Sequence, residues 1–231
     1  MNNSVRWIRL SRDFSGICNA ITKINEVPMP PKREHNAQDI INAALEVVRE
    51  QGFEKLSTRT IAEKLHSSTM PIYYSGITMP DIEKEIVTKA WAILEQYRSK
   101  VWTGDRVRDL IIGFVMFSKE ERNLFKCFRS EKLNAVNIVN AEKLFQKDME
   151  LIKDHNILGK LPPQQAMDVL IQGWIFANGI ALIVNSPIKN AITILDSEES
   201  IIKFVRDATR IYWRGAESIL KENEEKTSGN V

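Results

Sequence analysis

The chain is poor in the residues that interrupt regular structure, with ten glycines and eight prolines in 231 residues. Long stretches of period-2 alternation are missing as well. Together these lacks argue against a turn-rich β architecture and predict an all-α protein. Cysteine is scarce: Cys18 and Cys127 alone exclude a disulfide framework and suit ordinary thiols in a reducing compartment. Of the three histidines, His66 and His155 have no partner at metal-ligand spacing, so no metal site is expected. Excess charge of one sign is missing too, since the formal net charge is +2, and composition alone does not announce nucleic-acid binding. No nucleophile–base pair, carboxylate pair with a histidine, or phosphate loop occurs at meaningful spacing. No catalytic residue or cofactor is therefore assigned, and an enzyme is not expected. The longest apolar run, residues 174–184, falls short of the ~18–20 residues of a spanning helix and is interrupted by Asn178. It reads as a buried core helix, with no membrane partner. No secretory signal is recognisable, and a cytoplasmic protein is expected.

What is present is a 43% hydrophobic content, enough for a sizeable core. Helical periodicity recurs along most of the chain and predicts about nine helices. Residues 1–31 read as a leader, disordered or partly helical. Leu10, Phe14, Ile17, Ile21 and Ile24 recur at helical spacing beside Arg6, Arg9 and Arg12, which also suits an amphipathic helix or a targeting segment. A third reading is an upstream extension that is not normally translated, since "MPPKREHN" from Met29 resembles a protein start. The prolines of "VPMPPKRE" then mark a linker.

In "NAQDIINAALEVVREQGF", Asn36 and Asp39 are placed to cap a helix whose apolar face holds Ile41, Ala44, Leu45 and Val48. Gly52 is expected to end it as a left-handed C-cap. Ser57 is the expected cap of a second helix, with Ile61 and Leu65 facing inward. Ser68 is the expected cap of a third, which puts Pro71 in its first turn. That third segment has Ile72 as its one large aliphatic residue, surrounded by Thr69, Met70, Tyr73 and Tyr74. A short helix, a turn of about four residues and a polar second helix make a helix-turn-helix, a unit that places its second helix in the DNA major groove.

Beyond Gly76, Thr78 caps a long helix that Gly104 is expected to break. Later helices are expected over "DRVRDLIIGFVMFSKEERNLFKCFRSEKL", from Asn140 to Gly159, from Pro162 onward, and from a capping box formed by Asp196 and Glu199. The division expected is a helix-turn-helix domain over 32–79, a helical ligand-binding and dimerisation domain over 80–222, and a frayed tail over 223–231.

The run "IINAALEVVREQGFEKLSTRTIAEKLHSSTMPIYY", followed by "TMPDIEKEI", resembles the tetracycline-repressor (TetR) family of bacterial regulators over residues 33–90. The nine-helix layout agrees over the remainder. Ala43, Ala44, Gly52, Phe53, Ser57, Arg59, Ile61, Ala62, Ser68, Ile72 and Tyr73 occupy the positions that the family pattern wants. The resemblance implies a DNA-binding repressor acting as a homodimer on a palindromic operator, released by a small-molecule effector. It implies phosphate contacts from Tyr73 and from groups that open the second and third helices, Ser57, Thr58, Arg59 and Ser68, with Lys32 and Arg33 on the linker. Thr69, Met70 and Tyr74 are the expected base readers. No Arg, Asn or Gln sits in the recognition helix, so apolar and shape readout are expected to dominate.

The chain departs from the family at His66, where a turn glycine is usual, and at Pro71, Ser75, Gly76 and Met79. These departures motivate an alternative in which the fold is kept, DNA binding is lost, and the chain serves as a protein-interaction module. A helical-bundle enzyme is a further alternative, which a buried acidic cluster in the C-terminal half would support.

In that half, an interior rich in aromatic residues and methionine suits an apolar ligand pocket, with Trp91, Phe114, Phe117, Phe128, Phe145 and Trp174 as its expected wall. "WIFANGIA" resembles a C-terminal subgroup of the family that carries a histidine at the place of Asn178, which adds Asn178 to that wall. Gly173, Ala177 and Ala181 form a small-residue stripe. On the last helix Ile201, Val205, Ala208, Ile211 (or Tyr212), Gly215 and Ile219 form a second stripe. Both stripes are expected at a four-helix dimer interface, the alternative being that they face the chain's own core.

Overall fold

The computed structural model describes residues 35–228. The expected leader, the Lys32–Arg33 pair, Cys18 and residues 229–231 lie outside the described residues. Within them the chain forms nine α-helices joined by short turns and 3₁₀ segments, with no strand.

Helix α1 (Ala37–Gln51) opens on a capping box. Asn36 Oδ1 accepts from the Asp39 amide at 2.9 Å, and Asp39 Oδ2 accepts from the Asn36 amide at 3.1 Å. Its buried face is wider than the four residues expected and includes Ile40, Ala43 and Val47. Gly52 ends the helix with φ 92° and ψ 163°. That is not the left-handed helical cap expected but a positive-φ extended conformation, which side chains rarely adopt. Helix α2 (Thr58–Lys64) is capped by Ser57. A five-residue helix, α3 (Met70–Tyr74), follows. Thr78 and Asp81 cap α4 (Met79–Ser99), the long helix that leads out of this unit.

Helix α5 (Arg106–Glu120) is the central element, buried on nearly every face from Val107 to Ser118. It packs against α4, α8 (Pro163–Val184) and α9 (Glu198–Ser228). Helices α6 (Arg122–Cys127) and α7 (Asn134–Ile152) close the remaining sides, α6 against α1 and α7 against α4 and α8. One hydrophobic core runs from Ile40 of α1 through Ile72 of α3 and Phe117 of α5 to Val205 of α9. A second, around Val107, Leu158 and Trp213, fills the end where α5 begins.

Three boundaries differ from expectation. Helix α7 begins at Asn134, six residues before the expected start. The cap of α9 lies one residue later than expected: Ser197 and Ser200 pair reciprocally, amide to hydroxyl, at 3.0 and 3.1 Å. The Asp196 carbonyl meanwhile accepts from Lys119 Nζ at 2.8 Å. The expected tail from 223 continues α9 as helix to Ser228.

Candidate nucleic-acid interface and ligand cavity

The segment around α3 is built so that one residue anchors it and the rest face outward. Ile72 is 2% exposed and belongs to the main core, whereas Tyr73 is 68% and Tyr74 76% exposed, with Met70 also outside. Thr69 is half-buried and Ser68 exposed. The expected Ser68 cap is corrected: Thr69 occupies the N-cap position, its backbone already helical and its side chain making no capping bond. Pro71 in the first turn supplies a fixed φ in place of a capping hydroxyl.

Helix α2 presents the other predicted residues. Ser57 Oγ accepts from the Thr60 amide at 3.2 Å, and Thr60 Oγ1 accepts from the Ser57 amide at 3.0 Å. Thr58 is half-buried. Arg59 is exposed and pairs with Glu63 along the helix at 2.9 Å. The turn between α2 and α3 contains His66 at φ 50°, the left-handed geometry for which glycine is best suited. Lys32 and Arg33 lie outside the described residues.

Two links tie α1 to the larger helical body. Arg49 grips Glu121 through Nη2 and Nε at 2.6 and 3.1 Å. Asn123 Nδ2 donates to the Arg49 carbonyl at 2.9 Å.

The expected ligand wall is divided among three places. Phe114 and Trp174 line an inner cavity of about 40 Å³ between α4, α5, α7, α8 and α9. Trp91, Phe145 and Trp174 line an adjoining outer groove of about 420 Å³. Phe117 and Phe128 are corrected to core: Phe128 stacks on Trp91 with ring centroids 4.3 Å apart and on Phe117 at 5.4 Å. Asn178 turns back onto its own helix and donates to the Trp174 carbonyl at 2.9 Å.

Residues that the sequence reading missed supply the polarity of the inner cavity. Arg98, on α4, is buried and donates through Nη2 to Asp148 Oδ2 of α7 at 2.5 Å. Its other terminal nitrogen, Nη1, lies 3.5 Å from Glu95 Oε1 and makes no hydrogen bond. Burial pushes the Asp148 carboxyl above the ordinary carboxylate range despite Arg98 beside it. A signal existed for both. Arg98 follows Leu94 by four residues and Asp148 follows Leu144 by four, so each charge interrupts the apolar stripe of its helix.

Four residues of the expected dimer stripes are also corrected. Ala177, Ala181, Ile201 and Val205 are buried in the core of their own chain. Gly173 faces Ile111 of α5, whose Cδ1 lies 3.6 Å from where a Cβ would stand. Tyr212 packs on Phe176 with ring centroids 6.0 Å apart, and Ala208 is half-buried. The small residues serve close approach within the chain. The opposite face of α8 is apolar and open, with Ile171, Trp174, Ile175 and Leu182 exposed, as is Ile211 on α9. Helix α8 is therefore not the buried core helix expected. At 22 residues it is long and apolar enough to cross a membrane by length and composition, although Ala177, Ile180, Ala181 and Val184 are packed into the core. Among the described residues, no group of three or more His, Cys, Asp or Glu side chains is placed to hold a metal ion.

No protein-family model matches the chain, and no curated protein matches it. Among solved structures, a TetR-like transcriptional regulator from Rhodococcus sp. RHA1 superposes with a TM-score of 0.53 at 14% identity, covering 80% of this chain and 98% of that one. A TetR variant from Acinetobacter baumannii AYE, in complex with minocycline, aligns with a TM-score of 0.42 at 16% identity, over 83% of this chain and 94% of that one. The fold is thus the all-α fold of TetR-like transcriptional regulators.

Proposed function

We propose that this chain is a cytoplasmic DNA-binding transcriptional regulator, a repressor that binds a palindromic operator as a homodimer and leaves it when a small, mainly apolar ligand binds. One observation carries the reading. Helix α3 is anchored by Ile72 alone and turns Met70, Tyr73 and Tyr74 outward, an arrangement that gains little from burial and suits insertion into a groove. In this reading residues 32–79 form the DNA-binding unit and 80–222 the ligand-binding and dimerisation unit. Tyr73, Ser57, Thr58, Arg59 and Ser68 meet phosphates, and Thr69, Met70 and Tyr74 meet base edges. Met70 and the Thr69 methyl suit thymine methyl groups.

The dimer is assigned to the open apolar residues of α8 and α9, centred on Ile175, Leu182 and Ile211, the last of them a member of the expected stripe, rather than to the stripe residues buried in the core. Two recognition helices about 34 Å apart then read successive major grooves. Ligand binding in the α4–α8 region favours a second arrangement of α4 and α6, and the Arg49–Glu121 and Asn123–Arg49 links carry it to α1. The coupling is reciprocal: DNA weakens ligand affinity by the same factor by which ligand weakens DNA affinity.

The test is selection of bound duplexes from random DNA, followed by titration of the enriched site at several salt concentrations. A palindromic consensus whose binding weakens steeply with salt is expected. Tyr73→Ala is expected to weaken that binding at least tenfold with an unchanged circular-dichroism melt. Absence of any enriched duplex would favour the protein-interaction module, a reading to which the lack of a charged residue in α3 also points.

A further inference from the structure

The inner cavity combines an almost wholly apolar wall with one polar corner, and that corner is incomplete. Arg98 is 5% exposed, its Nη2 is paired with Asp148, and its Nη1, 3.5 Å from Glu95 Oε1, has no hydrogen bond. A buried donor left without a hydrogen bond is costly, so an acceptor brought to it is favoured. At about 40 Å³ the cavity admits roughly one water molecule as it stands. Leu144, Asp148 and Trp174 line both the cavity and the outer groove of about 420 Å³. They are the partition between the two. Of the three, Trp174 is half-exposed, so its ring can turn toward solvent without vacating the core. Joined, cavity and groove reach the span of small-molecule sites, about 300–1,000 Å³.

We infer that Trp174 gates a site for an uncharged, apolar molecule bearing one carbonyl-type acceptor, which Arg98 recognises beside Asp148. The inference rests on the ligand-responsive reading above and adds the ligand's chemistry. Charge selects against the alternatives. A carboxylate would enter an apolar cavity next to Asp148, a like charge with little solvent to screen it. An ammonium group would face the Arg98 guanidinium. A neutral carbonyl satisfies the unpaired donor and adds no charge. The raised pKa of the Asp148 carboxyl reflects the same dry surroundings.

The test uses four probes on one phenylbutyl frame: benzylacetone, 4-phenylbutanoate, 4-phenylbutylammonium and butylbenzene, each titrated calorimetrically into the full chain without DNA. Benzylacetone is expected to bind at least tenfold more tightly than the other three. In the paired variant Arg98→Met, Asp148→Leu, which replaces an ion pair by apolar side chains of similar size and so keeps the fold, that advantage over butylbenzene is expected to vanish. Trp174→Ala is expected to speed benzylacetone association at least threefold in stopped flow. Equal binding of butylbenzene or 4-phenylbutanoate, no binding of benzylacetone, or a preference that survives the paired variant would overturn the ligand chemistry, and an unchanged association rate would overturn the gate. Operator binding is read separately. Failure here with operator binding intact removes only this inference, and a carbonyl preference without operator binding removes only the regulator reading.

Discussion

Two residues act on stability in ways that can be measured, one against it and one for it. His66 adopts φ 50° in the turn between α2 and α3, with its amide donating to the Glu63 carbonyl at 3.1 Å. A side chain in the left-handed region costs about 1–2 kcal/mol, and part of that is regained by glycine. His66→Gly is expected to stabilise the chain by about 1 kcal/mol, read as a higher urea midpoint at constant m-value. Asp105 is the other. Its Oδ1 accepts from the Val107 and Arg108 amides at 3.1 Å, capping α5, and its Oδ2 accepts from Trp213 Nε1 at 2.9 Å. Burial opposes its charge, but His155, the Arg108 amide, the Trp213 indole and the Arg108 guanidinium together bring its pKa down to about 2. Because the folded value lies below the ordinary one, this stability is complete above about pH 4 and is lost as pH falls toward 2. Asp105→Asn should therefore cost on the order of 2 kcal/mol at pH 5 and much less near pH 2, measured by urea unfolding at the two pH values. A gap that does not change with pH would refute the assignment.

At the scale of elements, the close crossing of α4 and α5 decides where the cavity lies. A Cβ on Gly113 would stand 2.5 Å from the Tyr97 carbonyl oxygen and 2.6 Å from Arg98 Cα, both backbone atoms that cannot turn aside. Gly113→Ala is expected to destabilise the fold by about 3 kcal/mol, whereas alanine at exposed Gly179, inside a helix with open space around it, is expected to stabilise it by about 0.5–1 kcal/mol. A melting temperature equal for the two variants would show that the helices separate freely. The same crossing aims Arg98 inward beside Phe114, and so couples a packing constraint to the ligand corner. Helix α3 obeys the opposite rule. It has a single buried side chain and no side-chain cap, and Ile72 joins it to the main core. Cys127, in α6, is simply interior: burial pushes its thiol up to about 12, which makes it unreactive at neutral pH.

At the scale of the whole molecule, the exposed apolar residues of α8 and α9 bear on assembly. Ile171, Trp174, Ile175 and Leu182 are exposed on α8, with Ile175 at 58%, and Ile211 is 75% exposed on α9; apolar residues gathered along a helix in this way suit an interface. Ile175→Glu is expected to shift a dimer to monomer at micromolar concentration in sedimentation velocity, with the monomer's stability changed by less than about 0.5 kcal/mol. A wild-type chain that sediments as a monomer throughout that range would eliminate the assigned interface and leave the recognition helices unpaired. Operator binding and dimer formation should then fail together in Ile175→Glu, whereas Tyr73→Ala should lose operator binding and keep the dimer.

The sequence alone determined the all-α class, the capped starts of α1, α2 and α4, and the Ile72-anchored third helix, because capping, glycine placement and 3.6-residue periodicity are local and written in neighbouring residues. What tertiary structure decided was the use of each helical face. Gly173, Ala177 and Ala181 read equally well as a partner surface or as an inner one, since a stripe of small residues permits close approach without naming the approaching helix, and α5 supplies it. Arg98 and Asp148 stand 50 positions apart, and neither charge announces its mate until α4 and α7 are packed. Partner choice between distant segments depends on how helices fill space together, a property of the folded chain that local patterns do not encode.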